Sequence, residues 1–414
     1  MLDISVINSI QDQFKKNETT YPSSSLDHRK SALEFAILHD FPGRKNEEYK
    51  YTPVNRILKK KFDFEKVITS KTSDFQFEDH FYKKKGNHLV FLNGTYLPVQ
   101  SKILNSTCCC SETYSNQSFK DVFDALNIAF CDNSLKIEVS KNYTPQAFFI
   151  YYFYDSQQGQ VFGNPNIRII GHSNTQIQIL EKTISKGTHP VFINKKVSIH
   201  LKTNAEINIT KIQNYKNHVY QVYNLEVNQD RQSKFSSNVY SFSGGLIRNN
   251  LNINQLGEHC ESYMHGLYLI TGNTHVDNHT AVNHTKPHSY SNELYKGILN
   301  ENARAVFNGK IFVRPEAQKT NAFQANQNIN LSDEASIHTK PQLEIWADDV
   351  KCSHGCTVGQ IDKEALFYLR ARGIGKNQAK ALILIAFSEQ SLEHIPFEFI
   401  KEEIDMLIRK RLIG

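Results

Sequence analysis

Long hydrophobic runs are missing from this sequence. No stretch of about twenty apolar residues occurs among its 414 residues, which excludes a membrane-spanning helix. Hydrophobic residues make up 39% of the chain, enough for a globular core and low for a membrane protein. The opening MLDISVINSIQDQFKKN has no charged n-region, apolar h-region or small-residue cleavage site, so no signal peptide is expected. A strong charge of one sign is lacking as well. Lysine and arginine exceed aspartate and glutamate by 6, 48 against 42. The excess is spread along the chain and argues for no nucleic-acid partner. Nor is there a disulfide framework. Seven cysteines, an odd number at irregular spacing, fit reduced thiols in a cytoplasmic protein. Catalytic signatures are absent too. Neither Gly-x-Ser-x-Gly nor His-Glu-x-x-His occurs, GIGKN is not a phosphate-binding P-loop, and no Ser/His/Asp or Cys/His/Asn set can be assembled.

What is present falls into three regions, 1–87, 88–346 and 347–414. The first reads as helical, with a charged connector at its end. In SSSLDHRKSALEFAILHDF the residues Leu26, Lys30 (through its stem), Leu33, Ile37 and Phe41 recur at helical spacing. Pro42-Gly43 then breaks the pattern. The second region alternates. KVSIHLKTNAEINITKIQNY places Val197, Ile199 and Leu201, then Ile207, Ile209 and Ile212, against polar neighbours. Similar short runs recur about every ten residues, each followed by a turn, which predicts a mainly β unit of sandwich, barrel or solenoid type. The Asn and Ser within the runs and the lack of long amphipathic hairpins favour stacked coils. The third region is helical, with Asp362 as a cap, Leu366 and Leu369 facing inward and a turn at Gly373 and Gly375. Its last helix carries Ile404, Leu407, Ile408 and Ile413, with Lys410 and Arg411 late, as the helix dipole prefers.

Four stretches could carry chemistry. ADDVKCSHGCTVG sets Cys352, His354 and Cys356 at alternate positions, on one face if the segment is extended. Thiolate and imidazole suit zinc, iron or an iron–sulfur cluster. A strand, however, spaces same-face Cβ atoms roughly 6.5–7 Å apart, wide for three ligands of one ion. An open site completed by a partner and a packed thiol beside a satisfied histidine both remain open readings. His275, His279, His284 and His288 fall within fourteen residues but at irregular spacing. Metal binding and hydrogen bonding at the corners of a coil are both open there. The run Cys108 to Cys110 cannot share one ion neatly, because adjacent strand residues point to opposite faces. RARGIGKNQAKALI resembles a helix-hairpin-helix turn that would bind DNA phosphates, and a plain two-helix turn explains it equally.

ADDVKCSHGCTVGQIDKEALFYLRARGI resembles the carboxyl-terminal signature of the SufB/SufD family of iron–sulfur cluster assembly scaffolds. HVDNHTAVNHTKPHSYSNELYKGILNENARAVFNGKIFV and AQKTNAFQANQNINLS resemble the blocks that precede it. FPGRKNEEYKYTPV is similar to an Arg-Lys-x-Glu-x-(Trp/Tyr)-Lys-Tyr-Thr element of the SufD branch, and KCSHG has the form typical of that branch. The resemblance implies a right-handed parallel β-helix flanked by amino- and carboxyl-terminal helical domains. It implies a non-catalytic scaffold that pairs with SufB through the β-helices and binds the ATPase SufC through its carboxyl-terminal helices, with a homodimer open to it when SufB is absent. No tightly bound cofactor is expected in the isolated chain, only transient iron or a nascent cluster in the complex. The family's interface histidine falls on His354 and its neighbouring cysteine on Cys352, so His354 would be an iron or cluster ligand shared with a SufB cysteine. Position 356 is commonly alanine in the family, which leaves Cys356 outside the required set. Asn278 stands where a second histidine often does, which weakens a metal role for the histidine-rich stretch.

Overall fold

Strands such as VFINKKVSIHL form because one face can be buried while the other stays wet. In Val191–Leu201 the side chains of Val197, Ile199 and Leu201 are buried, and those between them are half-buried. The computed structural model describes residues 4–39, 41–68, 73–104, 107–112, 119–141 and 145–413. Strands pair in parallel with the next but one in sequence: Val191–Leu201 with Val219–Gln229, and that strand with Leu246–Gln255. Among the described residues two ten-stranded sheets result, wound by one chain into the expected β-solenoid. Registry stacks like on like inside it, as in the row Ile199, Val227, Ile253, Val282.

One corner of the coil is drawn by a recurring left-handed residue: Asn174, Asn204, Gln232, His259, His288 and Lys319 all have φ between 57° and 61°. Asparagine tolerates that conformation better than most residues. The interior is not wholly apolar. The buried pair Lys195–Glu181 is 2.9 Å apart, and the Tyr152 hydroxyl donates to the same carboxylate over 2.9 Å.

Helices cover both outer faces. The amino-terminal helices Ile4–Glu18 and Ser23–His39 share a core with the buried helix Val122–Phe130 and with Phe192, Tyr220 and Leu246 of the second sheet. The buried face of Ser23–His39 is Ser25, Arg29, Ala32, Leu33 and Ala36. The predicted stripe is therefore rotated: Leu33 is buried, Lys30 is exposed, and Leu26 and Ile37 are only half-buried. Arg29 explains the rotation. Its Nη1 donates to the carbonyls of Ile128, Ala129 and Cys131 at 3.1, 3.2 and 2.6 Å, so it caps the carboxyl end of helix Val122–Phe130.

At the other end, Lys376–Glu389 and Glu398–Ile413 lie on the first sheet. Leu384, Ile385, Ile400, Ile404 and Ile408 pack there with Leu180, Tyr240, Leu267 and Ile298. Asp362 caps Lys363–Ala371 as the sequence predicts, accepting from Glu364 N and Ala365 N. That helix buries none of its residues, so Leu366 and Leu369 are only half-buried; Ile413 is also exposed. Among the described residues no helix is long and apolar enough to cross a membrane.

Candidate functional site

The stretch that alternates Cys352, His354 and Cys356 is a strand, Lys351–Gly359, the last of the first sheet. Its partner is Asn321–Asn330, with Cys352 opposite Ala322, His354 opposite Gln324 and Cys356 opposite Asn326. Those three partners are buried inside the solenoid. The three candidate ligands therefore face along the same interior side, one coil further on, where the solenoid stops. Because no described strand stacks on that coil, His354 and Cys356 are exposed. Cβ atoms placed on Gly355 or Gly359 would meet nothing within 4 Å. The other edge of this strand pairs with no described strand, and Ser336–Ile345 ends the second sheet in the same way.

The three side chains differ chemically. Cys352 is half-buried and packs with Ile311, Val313, Ala322 and Ala347. Burial pushes its thiol above the ordinary cysteine range, which disfavours the thiolate that binds metal. Cys356 lies 2.8 Å from the Thr339 hydroxyl across the last coil. His354 presents an imidazole to solvent with no competing partner among the described residues. No group of three His, Cys, Asp or Glu side chains that could hold a metal ion occurs among the described residues. The donor set fits an iron or cluster cargo only as part of a ligand shell, with His354 the most available member.

Behind His354 runs a row that sequence reasoning missed. Glu293, Gln324 and His354 occupy one register position on successive strands. Gln324 Nε2 donates to Glu293 Oε2 over 2.7 Å, and burial raises the Glu293 carboxyl to about 7. The signal was the alternation of amides in FQANQN, where Gln324, Asn326 and Asn328 share the parity of the Cys-His-Cys stretch one coil later.

The four other histidines do not converge. His275 Nε2 meets the Thr52 hydroxyl at 2.9 Å. His279 bridges Asp277 at 2.9 Å and Glu48 at 3.3 Å. His284 turns inward to the Ser291 hydroxyl at 2.9 Å. His288 is a left-handed corner residue whose ring stacks on that of His259, one coil earlier, with centroids 4.9 Å apart. Cys109 is half-buried and Cys110 exposed, as opposite-facing neighbours in a strand should be; the Cys108 side chain lies outside the described residues. Gly373 and Gly375 form a two-helix turn, Gly373 at φ 87° and Gly375 opening helix Lys376–Glu389.

His275 and His279 instead mark where the amino-terminal motif docks. Arg248 ion-pairs with Asp277 at 2.5 Å, donates to the Glu48 carbonyl at 2.9 Å and stacks 3.7 Å from the Tyr49 ring centroid. Burial alone would raise the Asp277 carboxyl, but Arg248 and His279 hold it well below the usual carboxylate range. Glu48 is held low in turn by His279 and Lys310, and Glu47 pairs with Lys340. The stretch NEEYKY thereby clamps onto strands of four successive coils.

Comparison with known proteins agrees with this architecture. Residues 153–387, more than half of the chain, match the family model described as SUF system FeS cluster assembly, SufBD core domain. An iron–sulfur cluster assembly SufBD family protein of Synechocystis is 28% identical over 423 residues, covering 95% of this chain and 92% of the relative. The iron–sulfur cluster assembly protein SufD of Escherichia coli is 29% identical over 393 residues, with 92% of each chain covered. The chloroplastic protein ABCI7 of Arabidopsis thaliana is 23% identical over 412 residues, covering 92% of this chain and 86% of that protein. A solenoid carrying these motifs in these positions, matched along nearly its whole length by such relatives, belongs to the SufBD family of SUF-system iron–sulfur cluster assembly proteins.

Proposed function

We propose that this chain is a non-catalytic scaffold subunit that builds iron–sulfur clusters together with a SufB-type partner and a SufC-type ATPase. The observation that carries the reading is the open last coil, where His354 projects from a strand whose outer edge pairs with no described strand. An unpaired parallel edge invites a strand from another chain. A SufB solenoid docked there would bring its own thiolates against His354 and complete a shell that this chain supplies only in part. Neutral imidazole is a weaker anchor for iron than a thiolate cage, as a cluster that must be passed on requires. Cys352 stands beside it as a second, less available donor. The hairpin of helices Lys363–Ala371 and Lys376–Glu389 supplies the ATPase contact, with Phe367 and Tyr368 exposed on its outer helix.

The test is His354→Ala in the co-expressed three-protein complex, followed by its cluster absorbance. Complex formation and thermal stability should be unchanged while cluster build-up falls at least severalfold. Full cluster content in that variant would refute the assignment.

A further inference from the structure

On the opposite side of the molecule from the C-terminal helices, the amino-terminal motif and the start of the second sheet's strands enclose a cleft of about 1080 Å³. Arg44, Lys50 and Arg304 line it together with His275 and His338, and no carboxylate does among the described residues. Arg44, Lys50 and Arg304 form no ion pair among the described residues. The acids of the neighbouring motif and strand are already engaged, Glu47 by Lys340, Glu48 by Lys310 and Asp277 by Arg248. Like charges crowd the cleft as a result. Burial lowers the His338 imidazole, and Arg304 and Lys50 lower it further. Such crowding costs free energy that a bound anion would return. The cleft also has an apolar side formed by Tyr220, Pro53 and Val306. Tyr51 is held in place by stacking on His338, with ring centroids 3.8 Å apart.

From this geometry we infer that the cleft binds a phosphate-bearing small molecule, its phosphates held by Arg44, Lys50 and Arg304. Two guanidinium forks and an ammonium match phosphate oxygens better than a single carboxylate. The volume lies just above the range of ordinary small-molecule sites, and the mixture of apolar wall and few charged groups is typical of them. The motif RKNEEYKY thus has two faces. Glu47, Glu48 and Tyr49 clamp it to the solenoid, while Arg44, Lys50 and Tyr51 look into the cleft.

Calorimetric titration of the full chain with ADP and with pyrophosphate tests this. Both should bind saturably and compete with one another, and added salt should weaken both. Arg304→Gln and Lys50→Gln, exposed positions whose substitution leaves the fold intact, should each lower affinity about tenfold or more. Lys45→Gln, a neighbouring cation outside the cleft, should not. The inference fails if neither ligand binds, if Lys45→Gln weakens binding as much as Arg304→Gln, or if a polyglutamate peptide binds while ADP and pyrophosphate do not.

Discussion

Gln324 stands between His354 and the only carboxyl group in its row, Glu293. Its Nε2 is used on Glu293, and its buried Oε1 has no partner among the described residues. On the open side the neighbouring side chain in the row is His354. An imidazole N–H donated to that oxygen would fix the ring's tautomer and leave the other nitrogen for metal, the usual outer-shell arrangement for a ligating histidine. Gln324→Leu should therefore reduce cluster build-up in the complex about tenfold, while His354→Ala in the same background adds little further loss. Glu293 makes a separate, pH-dependent statement. Its carboxyl titrates at about 7 in the fold against an ordinary 4.5, so the folded chain holds a proton that the unfolded chain has released. As far as this group is concerned, stability is full at and below about pH 4.5, falls as pH rises to about 7, and is flat above. Glu293→Gln should flatten that slope and gain on the order of 3 kcal/mol at pH 8 relative to pH 5, measured by urea unfolding at the two pH values.

Among the elements, the docked motif and the outlying helix make opposite demands. The motif depends on Arg248, which is buried with Asp277 and reaches both Glu48 and Tyr49. Removing one member of a buried ion pair leaves the other uncompensated, at a cost of about 3–5 kcal/mol. Arg248→Ala should lower the unfolding midpoint by a corresponding amount and expose the motif to proteolysis between Arg44 and Lys50. Helix Lys363–Ala371 behaves differently. Phe367 is 74% and Tyr368 55% exposed, so truncating both should shift the isolated chain's stability by about 0.5 kcal/mol or less. The same double variant should lose the ATPase subunit on co-purification. Retained ATPase binding would mean the contact lies elsewhere.

At the scale of the whole molecule, what the sequence disclosed was local in origin. Period-two alternation in KVSIHL, the Asp362 cap and the turn at Gly373 are each set within a few residues, and the stacked solenoid followed from repetition of the alternating runs. The rotated face of helix Ser23–His39 was not legible, because Arg29 is buried to satisfy carbonyls about a hundred residues away. The Glu293–Gln324–His354 row was equally hidden. Its members are about thirty residues apart, and only the winding brings them into one line. Each coil of such a stack contacts only the coils beside it, so stability is nearly a sum of neighbour terms and the last coil has one neighbour too few. Amide exchange in the isolated chain should follow that order. Strands Ser336–Ile345 and Lys351–Gly359 should exchange first, and Val191–Leu201 and Val219–Gln229, sandwiched from both sides, should exchange last. Adding the SufB-type partner should slow exchange in Lys351–Gly359 selectively, because its free edge is then paired. If those amides are as slow alone as in the complex, the edge is closed by the chain itself and the open-coil account of the site falls with it.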